Sequence, residues 1–363
     1  MQSVPELTAQ SNPVHRFLFA DILRCAGTVA VIIIHASYQL FYMQNDIALD
    51  RWLAVNFWES CSRWAVPVFF MLSGMLLLNS SGKNVIQTIL LKRVPRLILP
   101  LVAWSQIYLF WINRENILSH KSFSFSEGFR WMYQGGVYLH LWFLYTLIGI
   151  YLSIPVLNIL SAHAGRNMKL YIILGWLGIH GFIGFIGSFY ELKMGIDVPM
   201  FSLYMGYFLI GFWLKEYKLN VLERRIAVVI TLACIALTFL GTFYLKEHAM
   251  KMENFYEYSS PTVMISAVGL FIIARNINFS KIFTANGWLA VIIKEISSLT
   301  FGVYLSHVLV LEVLALGIFT KPITANSIHP LIGIPLLSLF VFIVCLAFTK
   351  LVRYIPVLRW LVP

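Results

Sequence analysis

Residues 17–42 read FLFADILRCAGTVAVIIIHASYQLFY, and this stretch decides the fold. It is longer than the ~20 mostly apolar residues that a helix needs to cross a bilayer, yet it carries Asp21, Arg24 and His35. Ionisable groups at membrane depth cost about 2.5–3.5 kcal/mol each on insertion scales, so they persist where something holds or uses them. Ten residues separate Arg24 from His35. At about 100° per residue the two side chains point within roughly 20° of each other, about 16 Å apart along the axis. One face of one helix therefore carries a guanidinium low in the membrane and an imidazole high in it. Asp21 lies one turn before Arg24 and can pair with it.

Working outward, the apolar pattern repeats. Of 363 residues, 59% are hydrophobic and 12% charged, against roughly 25% charged in soluble domains. The deficit covers the whole length, which excludes a soluble enzyme with a membrane tail. Spanning helices are predicted at roughly 17–42, 53–79, 97–113, 138–160, 169–188, 199–214, 226–245, 259–275, 298–319 and 331–350. The expected fold is thus all-α: a polytopic membrane protein of about ten transmembrane helices, forming a single transmembrane domain over residues 1–363. Asn286–Ser297 is apolar but short, and is expected to lie along the inner surface or re-enter the bilayer. No internal repeat, low-complexity tract or cleavable signal peptide is visible.

The net charge of +11 calls for no nucleic-acid partner, because membrane proteins collect Lys and Arg in cytoplasmic loops. With the N-terminus inside, the inner segments hold about twice as many Lys and Arg as the outer ones, and carboxylates such as Glu253 and Glu257 fall outside. Both termini are expected in the cytoplasm. Cys25, Cys61, Cys234 and Cys345 show no metal-ligand spacing and read as small buried apolar residues.

The second helix carries Glu59 and Arg63, an i,i+4 pair, followed by Val66-Pro67-Val68-Phe69-Phe70-Met71-Leu72-Ser73-Gly74. Pro67 is expected to kink it, and Ser73-Gly74 to let a backbone or ligand approach closely. Lys92-Arg93-Val94-Pro95-Arg96 places two guanidiniums three residues apart, with proline suited to a helix's first turn. Such a cluster fits phosphates by charge and geometry, although loop charge alone also accounts for it. His140-Leu141-Trp142-Phe143-Leu144 opens the fourth helix near the depth of His35, and the ninth holds Tyr304, Ser306, His307 and Glu312. No metal site is expected, since no His/Glu spacing fits zinc. Neither a glycine-rich phosphate loop nor a Gly-x-Ser-x-Gly turn is present, which argues against nucleotide and serine hydrolases.

In this order, Asp21-Ile22-Leu23-Arg24 with His35, Ser62-Arg63 leading into Val66–Gly74, Lys92–Arg96, His140–Leu144 and Phe301-Gly302-Val303-Tyr304-Leu305-Ser306-His307 resemble the acyltransferase-3 family of membrane acyltransferases. The match runs across essentially the whole chain. The Ser-Arg…Val-Pro-x-Phe-Phe-Met and His-Leu-Trp-Phe segments are most similar to the branch that O-acetylates enterobacterial common antigen, and a short, stand-alone member is expected. The resemblance implies transfer of an acyl group, usually acetyl, from cytoplasmic acyl-CoA to a sugar hydroxyl of a surface glycan or its lipid-linked precursor. Transfer would occur at the outer side of a bacterial inner membrane. Acetyl-CoA or another acyl-CoA would be a co-substrate, with no permanently bound cofactor; membrane lipids and the glycan would be the partners.

Roles can be assigned as expectations. Arg93 and Arg96 would hold the CoA phosphates. Arg24, steadied by Asp21, would line the donor's path. His35 would act as general base on the acceptor hydroxyl or carry the acyl group transiently; the residues leave both open. Arg63 and His140 would stabilise the oxyanion or orient the sugar. Asp21, Glu59, Ser73, Trp142, Tyr304 and His307 are candidate substrate contacts. A ten-helix exporter of a glycan or lipid-linked sugar is the competing reading; exporters more often show inverted repeats, and none is visible.

Overall fold

The computed structural model describes residues 13–78, 85–119, 125–192, 195, 202–215, 217–279, 287–318 and 321–363, and all regular structure among them is helical. The chain opens with α1 (Pro13–Tyr42), then α2 (Leu49–Ser62) and α3 (Ala65–Leu77). A short α4 (Val85–Thr88) runs through a π turn (Ile89–Arg93) into α5 (Pro95–Ile112). Next come α6 (Arg114–Leu118), α7 (Phe125–Tyr133), α8 (Trp142–His163), α9 (Arg166–Trp176), a second π segment (Leu177–Gly184) and α10 (Phe185–Phe189). The remainder comprises α11 (Leu203–Leu214), α12 (Val221–Glu247), α13 (Pro261–Asn276), α14 (Trp288–Leu316) and α15 (Pro330–Tyr354).

Seven of these helices or consecutive helix groups are long and apolar enough to cross a membrane: α1, α2–α3, α8, α9–α10, α12, α14 and α15. The other three expected spans fall on α5, α11 and α13, of 18, 12 and 16 residues, which do not combine that length and apolarity. The packing explains the solvent. The most apolar 18-residue stretch of α12 has a mean hydropathy of 2.5, yet only 22% of it is buried. Leu232, Leu237 and Leu240 point outward there. Such a face is stable against lipid tails, not water. The corresponding stretch of α1 is 61% buried, because α2, α3, α14 and α15 surround it.

Prolines set the breaks. Pro67 has no N–H to give the Arg63 carbonyl and would clash with it, and the helix breaks at Arg63–Trp64, dividing α2 from α3. Pro95 occupies the first turn of α5; just before it the chain relaxes into the wider π turn, with Val94 N–H donating to the Ile89 carbonyl at 2.9 Å. Gly74 and Gly211 let α3 and α11 touch along their backbones: a Cβ on Gly74 would collide with the Phe208 carbonyl, and one on Gly211 with the Met71 backbone. The close approach expected at Ser73-Gly74 is therefore a helix contact at Gly74.

Two expectations need correction. Residues 288–297 are not a separate short segment; they form the first turns of α14, a continuous 29-residue helix. Ala290 and Ser297 face the bundle and are buried, while the large apolar side chains Trp288, Leu289, Val291 and Ile292 point outward. His140 does not open a helix either. It sits in the turn before Trp142, where α8 begins. Cys25 and Cys61 are only half-buried, while Cys234 and Cys345 are buried; none forms a disulfide.

Candidate active site

The face of α1 predicted from spacing is the spine of the site. Near its start, Arg24 and Thr28 line a cavity of about 360 Å³, together with Ser73 of α3, Arg96 of α5, Tyr151 of α8 and Ser297 of α14. Further along, Val31, Ile34, His35 and Tyr38 line a second cavity, also about 360 Å³, with Glu59, Arg63, His140 and Trp142. The two cavities share Phe69, Phe143 and Tyr304. A third, of about 380 Å³, lies on the other side of His35 and shares His35, Tyr38 and Leu139 with the second; Tyr138 and Glu312 line it.

The Arg24 cavity is open, and its basic and hydroxyl groups are set in a largely apolar lining. Asp21 lies 3.6 Å from the Arg24 guanidinium and also accepts a 2.6 Å hydrogen bond from Ser297 Oγ, which ties α1 to α14. Arg96 is exposed in the first turn of α5. Arg93 lies in the π turn before it and not in the helix; its Nη1 is buried without a partner. Both Arg93 and Arg24 act electrostatically on Tyr151, so three guanidinium groups converge on this end. The cavity is also lined by Pro363. Arg353 holds it, donating to the carbonyls of Val362 and Pro363 at 3.1 Å each and to Ser298 O at 2.6 Å.

The His35 end is built differently. Three imidazoles meet: the ring of His35 lies 5.0 Å from His307 and 6.2 Å from His140, and His140 lies 5.3 Å from His307. Among the described residues no group of three or more His, Cys, Asp or Glu is arranged to hold a metal ion. His140 and His307 are almost wholly buried, and His35 alone of the three is half-exposed, facing the cavities. His307 Nδ1 lies 2.6 Å from the Tyr304 carbonyl, which only accepts. That nitrogen therefore carries the proton, and Nε2, which has no partner, presents a lone pair. Tyr304 in turn donates to the His140 carbonyl, so α14 fixes the turn that carries His140.

Opposite His35 stands a buried ion pair. Glu59 is 1% exposed and Arg63 18%. Arg63 pairs with Glu59, lies 4.3 Å over the Tyr256 ring and leaves its Nε buried without a partner. Tyr256 donates to Asn56, whose amide donates to Phe239 O at 3.0 Å. Burial pushes the Tyr258 phenol up to about 12, against the pull of Arg63, so it remains a neutral hydroxyl beside the guanidinium. Tyr256 and Tyr258 belong to the segment between α12 and α13 and were not foreseen; the only signal is Phe255-Tyr256-Glu257-Tyr258, an aromatic–acidic run in an outer loop. Glu312 is held by Tyr138 and Trp111 on the third cavity's wall.

Eleven of the twelve candidate residues fall at these two ends, and the twelfth stands between them. Arg24, Asp21, Ser73, Arg93 and Arg96 gather at one; His35, Glu59, Arg63, His140, Trp142 and His307 at the other; and Tyr304 stands between. His307 packs against His35 and lines none of these three cavities. The acyltransferase-3 family model, an acyltransferase domain, matches residues 17–350. The chain belongs to this family. No curated protein and no solved structure matches it. An imidazole facing two cavities and a cluster of guanidiniums about three turns of α1 away form two distinct stations.

Proposed function

We propose that this acyltransferase moves an acyl group, acetyl by default, from cytoplasmic acyl-CoA to a sugar hydroxyl of a surface glycan or its lipid-linked precursor across a bacterial inner membrane. One observation carries the reading: an arginine-lined cavity and a histidine-lined cavity lie along one face of α1 and share a wall. In this reading the chain crosses ten times with both termini cytoplasmic, as the loop charges favour, and the Arg24 cavity opens to the inside. There Arg93 and Arg96 meet the CoA phosphates, for which clustered guanidiniums suit planar, multiply charged oxygens. The pantetheine arm runs up past Arg24, and the thioester reaches His35.

The chemistry needs a base, since a hydroxyl is a poor nucleophile at neutral pH. The acceptor oxygen attacks the thioester carbonyl while His35 takes its proton. The new C–O bond forms, the C–S bond breaks, and the proton passes from the imidazolium to the departing sulfur, giving the ester and CoA thiol. Arg63 faces the charge that develops on the carbonyl oxygen. His307, locked by the Tyr304 carbonyl, is a positioning residue for His35. The glycan approaches from the outer cavities, where Glu312 and the loop tyrosines offer acceptors and ring faces.

The test compares ester-linked acetyl on surface glycans from cells with the intact gene, a deletion, and His35→Ala at normal membrane levels. Enterobacterial common antigen is the first acceptor to assay, on the motif similarity noted above. Loss in both mutants supports the reading. Unchanged acetylation in the deletion strain, with glycan instead failing to reach the surface, would favour the exporter, which the family match does not.

A further inference from the structure

Phe69 and Phe143 play no part in the chemistry above, yet with Tyr304 they line both cavities. They come from three helices. Phe69 sits on α3, Phe143 on α8 and Tyr304 on α14. The ring of Phe143 lies 6.3 Å from Phe69 and 5.4 Å from Tyr304. Each ring keeps exposed surface although its helix is packed in the bundle, as expected of side chains bordering open space. The ring of Phe69 leans on Gly27, where a Cβ would lie 3.0 Å from it. Gly27 falls between the Arg24 and His35 stations, so the rings stand at the level on α1 where one cavity gives way to the other. Tyr304 is tied to the His140 carbonyl and Phe143 packs on Phe70 at 4.8 Å; two of the three rings are therefore braced.

We propose that Phe69, Phe143 and Tyr304 form an aromatic sieve between the two cavities that restricts the transferred group to a short acyl chain. This rests on the acyl-CoA reading above. The thioester must pass the three rings to reach His35, and its acyl group leads. The pantetheine arm follows and lies between the rings, so the acyl group held at His35 has only the space that Phe143 and Tyr304 leave beside the arm. Each further methylene then presses on a braced ring, and a close-packed aromatic contact resists that. A rigid wall discriminates by about 10–200-fold per methylene.

The experiment uses the full-length protein in vesicles of the source organism's lipids, supplied with its de-esterified surface glycan. CoA thiol release gives kcat/KM for acetyl-CoA and for butyryl-CoA. Wild type is expected to favour acetyl-CoA. Phe143→Ala is expected to raise the butyryl-to-acetyl ratio about tenfold or more, and the milder Phe69→Leu and Phe143→Leu to shift it less in the same direction. Structural damage alone lowers both donors in proportion. An unchanged ratio in all three variants, with wild type turning over acetyl-CoA, overturns the sieve and leaves the donor reading standing. A wild-type protein that turns over neither thioester overturns the donor reading, and the sieve with it.

Discussion

The two ends of the α1 face are built to different rules. At the His35 end polar groups are buried and braced: Glu59 is 1% exposed, His307 is wholly buried, and Arg63 is fixed by a carboxylate and a ring. At the Arg24 end they are loosely held: the Arg24 side chain is 37% exposed and its carboxylate partner sits 3.6 Å away. The contrast fits the separate tasks. Stabilising a developing charge needs groups that do not reorganise. Gripping a flexible, multiply charged cofactor needs charge that water can reach and leave. Changes at the first end should therefore damage turnover or folding, and changes at the second should damage affinity.

The largest expected effect is on His35. His35→Ala should lower acyl transfer by about 10²–10⁴-fold, the usual worth of a general base, while acetyl-CoA binding measured by calorimetry on the purified protein stays within about twofold. Weakened binding of the same size as the lost turnover would break the division of labour between the two ends.

Next comes the buried pair. Arg63→Met leaves the Glu59 carboxyl buried without its partner, which should cost about 3–5 kcal/mol of stability, read by thermal unfolding in detergent. The double variant Glu59→Met/Arg63→Met should recover most of that, since two apolar side chains of similar size can replace a buried ion pair. Activity should not return with it. A stable and active double variant would make Arg63 a scaffold residue and leave the oxyanion to other donors.

How far the sequence revealed this contrast depends on spacing. Arg24 and His35 lie on one helix, so helical geometry alone placed them on one face and at two heights. Glu59–Arg63 and Asp21–Arg24 are likewise local pairs. What spacing does not encode is contact between helices. His35, His140 and His307 come from three distant segments, and only their depth hinted at a meeting. Tyr256 and Tyr258 lie in a loop, where no periodicity points a side chain anywhere. Phe69 and Phe143 were hidden among many apolar residues, because a ring lining a passage looks like a ring filling a core. The start of α14 is not legible in the sequence because its N-cap, Gly287, offers no side-chain cap, and apolar residues 288–297 look alike at a surface and in a helix.

At the open end, Arg96→Gln should raise KM for acetyl-CoA about tenfold with kcat nearly unchanged. A charge-assisted hydrogen bond contributes about 1.5–3 kcal/mol, and the exposed position of Arg96 puts it at the lower limit. The salt dependence of KM should flatten in the variant, since the proposed phosphate contact would be gone. A fall in kcat with constant KM would move Arg96 from grip to chemistry and erase the comparison.

Asp21→Asn should do least. An exposed ion pair contributes about 0–1 kcal/mol, and the Asp21–Arg24 contact is long and partly solvated. The hydrogen bond from Ser297 to Asp21 Oδ1 survives, because an amide oxygen accepts as a carboxylate does. Unfolding should shift by less than about 1 kcal/mol. The substitution also removes the negative charge nearest Arg24, so the guanidinium should attract the anionic donor at least as well as before, and KM should stay level or fall. A rise in KM matching that of Arg24→Gln would show that Asp21 aims Arg24 and does not merely neutralise it. The Arg24 end would then be preorganised like the other, and charge alone would no longer explain how it holds the donor.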